Sequence, residues 1–207
     1  MKIVSMTPSK HVSDRWYMEL EGGEKIQITV DHIAEFSLYT GRELDDDELE
    51  DLREKAGRTA SRQRAMRIVG ARAMSHRELC DHMKKRGETD SSAEEAAQWL
   101  ERMGVLNDAE YAAAIVRHYS SSGYGEAKIK SELTRRGVGR EHWDAALALM
   151  PEPDEMLDAL IAKKLRTAAP DRAALKKLSD MLMRRGFKWD DVRRAIARCA
   201  DGFEETY

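Results

Sequence analysis

The sequence predicts a mainly α-helical protein. Three tandem three-helix repeats form an elongated curved array, preceded by a small N-terminal α+β segment built on a β-hairpin. Three observations predict this. The stretch SHRELCDHMKKRG at 75–87 returns as GEAKIKSELTRRG at 125–137 and as ALKKLSDMLMRRG at 174–186. Each copy ends on an arginine followed by a glycine, and the glycines lie 50 and then 49 residues apart. A period of this length marks one helical unit stacked in series. The first 31 residues read differently, as short β-rich runs around Gly22-Gly23.

Within each copy an apolar pair spaced i, i+4 marks the buried stripe of a helix: Leu79 with Met83, Ile129 with Leu133, Leu178 with Leu182. Glycine can take the left-handed conformation that closes a helix, and cations before it suit the negative end of the dipole. Val138 and Phe187, directly after two of the stops, can fold back onto the last turn; Glu88 breaks that rule.

In chain order, KIVSM, RWYMEL and KIQITV give two or three antiparallel strands, with a two-residue glycine turn between the last two. Alternation places Ile26, Ile28 and Val30 on one face, covered by a short helix over 32–39 that carries Ile33, Phe36 and Leu38. Asp45-Asp46-Asp47 opens a helix over 48–55, and Gly57 marks a boundary. The first repeat, 58–104, then holds a basic helix over 59–74, a helix capped by Ser75 with Glu78, and a third capped at Ser91-Ser92. The second, 105–150, opens at Asn107, continues over 126–136 and closes with 140–149, whose inward face is Trp143, Ala146, Leu147 and Met150. The third, 151–200, has helices over 154–166, 171–185 and 190–199, with a tail at 201–207. Trp99, Trp143 and Trp189 fall in third helices and read as core.

Charge is nearly balanced overall, with 35 bases against 38 acids, but it is unevenly placed. Residues 1–57 carry a net −7 and residues 58–87 a net +7. The basic block is either a solvated helical face or an attractor for a polyanion or an acidic partner. The acidic segment is expected to shield it. Cys80 and Cys199 make no disulfide framework and read as buried thiols of a reducing compartment, the cytosol being the simplest. The sequence has no apolar run of about 18 residues and no charged-then-apolar leader, so neither a membrane span nor export is expected.

No pattern for catalysis emerges: there is no paired nucleophile and base and no phosphate loop, so no enzyme activity, cofactor or metal is expected. His76, Cys80 and His82 lie close in sequence but lack a further ligand. Gly123-Tyr124-Gly125 precedes a helix and is either a phosphate seat or an inter-helix turn. The basic residues are more informative. Second helices end in Lys84, Lys85 and Arg86, in Arg135 and Arg136, and in Arg184 and Arg185. They either complement helix dipoles or form a periodic basic ridge facing a partner.

The runs RAMSHREL and KKRG at 72–79 and 84–87, GVLNDAEYA at 104–112, and GYGEAKIKSEL with RGV at 123–133 and 136–138 resemble the RecX family of regulatory proteins. The resemblance covers 65–150 most fully. It implies a non-enzymatic cytoplasmic protein, a monomer, that binds the RecA recombinase filament and inhibits its ATPase, strand-exchange and coprotease activities. Its expected partner-binding residues are Arg67, Arg72, Arg77, Lys84, Lys85, Arg86, Arg117, Tyr124, Lys128, Lys130, Arg135 and Arg136. Direct, largely nonspecific binding of single- or double-stranded DNA is the alternative.

Overall fold

A computed structural model describes residues 1–165 and 171–204, with side chains through Cys199. The chain divides into two compact units: Met1–Arg72 with Leu79–Val105, and Ala73–Glu78 with Leu106 onward.

The first unit begins with strands β1 (Ile3–Pro8), β2 (Arg15–Leu20) and β3 (Lys25–Thr29), paired antiparallel in that order. Gly22 and Gly23 turn the β2–β3 hairpin at φ +108° and +87°, values an L side chain rarely adopts. Met18 faces Met6 on one side and Ile26 on the other. Met18, Leu20, Ile26 and Ile28 line the buried face with Ile3, as alternation requires. Val30 does not join them. It opens helix α1 (Val30–Glu35) and is 47% exposed, because the chain leaves the strand at Thr29. Leu38 is buried on this core, with Ile33 and Phe36 packed at its edge.

Helix α2 (Asp46–Ala71) corrects the expected helix break at Gly57: the helices expected over 48–55 and 59–74 are one helix of 26 residues. Asp45 caps its start by accepting from the Glu48 amide at 2.8 Å. A glycine inside a helix costs about 1 kcal/mol relative to alanine. Burial on both sides of it outweighs that cost. Leu49, Leu52 and Ala56 close the core under the sheet, while Ser61, Ala65 and Ile68 are buried further along the same helix. The helix thus serves the N-terminal segment and the first repeat together.

Helices α3 (His76–Lys84) and α4 (Asp90–Arg102) complete that repeat, with Leu79, Met83, Ala93, Ala96, Ala97 and Leu100 all buried. The cap of α4 is Thr89, which accepts from the Ser92 amide at 3.1 Å, rather than the expected Ser91-Ser92. Glu88, the apparent exception after a stop, is tied to α2: Ser61 donates to it at 2.5 Å and Arg64 pairs with it.

The second unit holds α5 (Asp108–Ser121), α6 (Glu126–Arg135), a 3-10 turn at Arg140–His142, α7 (Trp143–Leu147), α8 (Pro153–Lys164), α9 (Arg172–Arg184) and α10 (Trp189–Glu204). Asn107 caps α5 as expected, accepting from the Glu110 amide at 3.0 Å. One core gathers Tyr111, Ile115, Val116, Ile129, Leu133, Val138 and Ala146, and another Leu157, Ile161, Leu178, Leu182, Phe187 and Val192. All six expected stripe residues are buried, and so are Val138 and Phe187. Trp143 packs at the edge of its core and donates to the Val138 carbonyl at 3.1 Å. Trp189 is a correction: it starts α10 and is 55% exposed, because Val192 and Ala195 face the core instead. The expected end of a helix at Arg166 lies outside the described residues.

Candidate partner-binding surface

Two of the three arginine-glycine stops have the same use. In the second unit the start of one repeat's middle helix rests on the stop of the next repeat's middle helix. Ser75 Oγ donates to the Arg136 carbonyl at 2.5 Å. Fifty residues along, in the same register, the Gly125 amide donates to the Arg185 carbonyl at 2.9 Å and the Ala127 amide to Gly186 at 3.1 Å. The exposed carbonyls of one helix end thereby meet the unpaired donors of another. The fit is close. A Cβ on Gly125 would lie 2.5 Å from the Gly186 oxygen, and one on Gly137 would lie 2.7 Å from the Arg77 Cδ.

The stop arginines lock these joints. Arg136 donates to the Tyr111 hydroxyl at 2.8 Å and lies over its ring at 5.9 Å. Tyr111 donates in turn to Glu78 at 3.0 Å, and burial raises its hydroxyl above the ordinary tyrosine value. Arg185 lies over the Tyr124 ring at 5.3 Å and donates to the carbonyls of Ser122 and Gly123 at 3.1 and 3.0 Å. With its first amides spent on Arg185 and Gly186, the start of α6 is an inter-helix joint and not a phosphate seat.

Several of the expected partner-binding cations are neutralised within the fold. Glu132, 7% exposed, accepts from Arg135 at 2.6 and 2.9 Å and pairs with Lys128 at 3.4 Å and Arg136 at 3.8 Å. The Arg135 hydrogen bonds hold this carboxyl below the usual carboxylate range, against the opposing effect of burial. Lys130 pairs with Glu126 at 2.5 Å, and Lys188 joins them at 3.0 Å; together they lower the Glu126 carboxyl. Lys84 pairs with Asp90 at 3.2 Å, and that contact raises its ammonium above the ordinary lysine value. Arg72 lies 3.2 Å from His82 Nε2, and Arg117 lies 4.0 Å from Glu110. Arg77 lays its stem against Gly137.

Arg67, Lys85 and Arg86 are exposed and have no carboxylate partner among the described residues. Gly87 is the one stop glycine of the three with nothing within 4 Å of an added Cβ. The +7 block is thus largely an effect of where its window ends: Glu88, Asp90 and Glu95 follow it and pair back with Arg64, Lys84 and Arg62. The acidic segment contributes to the block through Glu54, paired with Arg58 along α2.

Beside Arg184, which the sequence marks as a helix-end cation, the third repeat exposes a set that its pattern left unremarked: Lys163 and Lys164 at the end of α8, and Arg172, Lys176 and Lys177 on α9. None has a carboxylate partner among the described residues. Their signal was present in the i, i+4 spacing of Arg172 and Lys176 and in the adjacent Lys176-Lys177 and Lys163-Lys164.

His32 sits between the hydroxyls of Thr29 at 3.2 Å and Thr59 at 3.3 Å, but its Nδ1 accepts from the Thr29 amide at 3.1 Å as the cap of α1. Burial lowers its imidazole below the ordinary value. The Cys80 thiol donates to Glu94 at 3.8 Å, and burial pushes it up to about 11, so it stays protonated at neutral pH. No helix among the described residues is long and apolar enough to cross a membrane.

These features define a tandem three-helix repeat protein with a small antiparallel sheet at its N-terminal end. Residues 107–147 match the second three-helix domain of RecX, and residues 152–196 match the third. Curated relatives carry the same name, regulatory protein RecX. That of Xanthomonas campestris pv. campestris is 35% identical over 64% of this chain and 83% of its own length, and that of Stenotrophomonas maltophilia 33% identical over the same shares. That of Geobacillus thermodenitrificans is 28% identical over 98% of this chain and 79% of its own. A crystal structure of regulatory protein RecX shares the fold with a TM-score of 0.72 at 20% identity, covering 94% of this chain and 98% of that one. The RecX structure from Lactobacillus salivarius has a TM-score of 0.63 at 21% identity, over 70% of this chain and 97% of the other. The chain belongs to the RecX family of regulatory proteins.

Proposed function

We propose that this protein binds the RecA nucleoprotein filament and restrains its ATPase, strand-exchange and coprotease activities, acting as a monomer in the cytoplasm without catalysing a reaction. As repeat units we assign 58–104, 105–150 and 151–200, after an N-terminal segment of residues 1–57 and before a tail from 201. Family membership supports the reading. The observation that carries it is the sorting of cations: those at the stacked joints are consumed internally, whereas Lys85 and Arg86 at the first stop stay exposed without a carboxylate. Exposed cations on repeated modules give many weak contacts to a polymeric partner, and their sum is avidity. The test is RecA ATPase on single-stranded DNA with and without the protein. Progressive loss of ATPase supports the reading, and unchanged turnover at saturating protein rejects it.

A second reading, direct and largely nonspecific DNA binding, is favoured by Arg172, Lys176, Lys177 and Arg184 on one helix. A salt series without RecA separates the two, since phosphate contacts release counterions and give a steep salt slope.

A further inference from the structure

The first unit carries a groove of about 450 Å³, of whose lining the RecA reading uses only Arg67. Its floor is apolar: Val12 and Met66 are 39% and 37% exposed, and Trp99 lies beside them. Its rim holds Arg15, Arg62 and Arg67, with no acidic residue in the lining. Arg62 is committed, bound to Glu95 and lying over the Trp99 ring at 5.3 Å. The other two guanidinium groups are not. Both are steered by Gln63: Arg15 Nη2 donates to its side-chain oxygen at 3.3 Å, and Arg67 Nε to its backbone oxygen at 3.4 Å. The Arg15 Nε is buried without an acceptor, and neither arginine has a carboxylate partner among the described residues. Two uncompensated guanidinium groups beside an apolar floor form a half-filled recognition site, because guanidinium binds carboxylate through paired, charge-assisted hydrogen bonds.

The geometry points to this groove as the docking site for an acidic peptide segment of a partner protein, one that seats an apolar or aromatic side chain on Met66 and Trp99 and places carboxylates on Arg15 and Arg67. Charge complementarity selects this occupant. A nucleic-acid strand fits less well: the Trp99 face toward Arg62 is occupied, and two cations are too few to follow a phosphate backbone. The inference stands apart from RecA binding, since it concerns the chemistry of the segment and not the protein that carries it.

Fluorescence anisotropy of the full chain tests it. The probe is a labelled peptide of about ten residues that alternates glutamate with phenylalanine and leucine. Its controls are the same peptide with glutamine for glutamate, the same with serine for the apolar residues, and a labelled oligothymidine of similar length. Saturable binding of the first peptide is expected, weakened about tenfold by either peptide control and by Arg67→Gln, a change at an exposed side chain. Met66→Glu should weaken it further while leaving the circular dichroism of the chain intact. Several results would overturn the proposal: no binding of the acidic apolar peptide, equal binding of its glutamine version, tighter oligothymidine binding that depends on Arg67, or a dimer, seen in sedimentation, that Met66→Glu disperses.

Discussion

The amide of Gly125 donates to the carbonyl of Arg185 at 2.9 Å, and that bond seats the start of one repeat's middle helix on the stop of the next. The glycine of the stop therefore has two duties, closing its own helix and making room for another. Gly186 stands at φ +89°, and a Cβ there would fall 2.4 Å from the Lys128 nitrogen. Gly87 stands at φ +91° in open space. Gly87→Ala should cost only the left-handed backbone penalty, about 1 to 2 kcal/mol. Gly186→Ala should cost that and the clash, about 2 to 4 kcal/mol in all. Urea melts of the two variants check it; equal losses would mean that the joint contributes nothing.

Glu132 is the buried partner shared by three cations, and its protonation should be felt in acid. Its carboxyl is held below the ordinary value, so its contribution to stability is complete above that value and is lost as pH falls through it toward the lower folded one. Glu132→Gln should cost about 1 to 3 kcal/mol at pH 7. It should also flatten the stability profile below about pH 4.5. Denaturant melts at a series of pH values test both parts. Arg135→Ala, at a side chain 63% exposed, should cost a fraction of that.

His32 acts in the same sense, at a higher pH. Burial lowers its folded value below the unfolded one near 6.5, so the fold is unaffected above that pH and weakens as pH falls below it, where only the unfolded chain takes up the proton. Protonation would also cost Nδ1 its bond from the Thr29 amide. Hydrogen exchange at that amide should quicken between pH 7 and pH 5.5, beyond the intrinsic trend. His32→Asn, which keeps an acceptor without a charge, should remove the excess.

The repeat was legible in the sequence because its signals are local: an i, i+4 stripe, a cationic last turn and a glycine at fixed spacing. Stripes, stops and the Gly22-Gly23 hairpin all appear as expected. The joints were not legible, since Ser75 and Arg136 meet 61 residues apart through a backbone carbonyl that no side-chain pattern announces. The internal partners of the basic ridge were hidden for a related reason. Charge counted in a window ignores the acids just outside it, and Glu132 could have been found as i+4 to Lys128 and i−3 to Arg135. Gly57 failed as a helix break because local propensity, about 1 kcal/mol, is smaller than the burial on either side of it.

The Gly57 reading has its own test. The residue is exposed mid-helix, and a Cβ there meets nothing within 4 Å. Gly57→Ala should therefore stabilise the first unit by about 0.5 to 1 kcal/mol, seen as a higher thermal midpoint. A loss of stability would mean that α2 is broken there after all.

The sorting of cations also dictates which charges to reverse. Reversing Arg136 or Arg185 would break joints on Tyr111 and Tyr124, and any loss of activity would report unfolding. Lys85 and Arg86 are exposed and make no ion pair among the described residues, so Lys85→Glu with Arg86→Glu should leave the thermal midpoint within a degree or two while weakening restraint of RecA ATPase about tenfold at moderate salt. Lys176→Glu with Lys177→Glu, equally exposed on α9, separates the readings. If the protein works by binding DNA directly, this second pair should lower the salt slope of oligonucleotide binding by about one to two units. If it works on the RecA filament through the first stop, that pair should leave ATPase restraint nearly intact. Unchanged restraint in both double variants, with both still folded, would move the functional surface away from the exposed cations altogether.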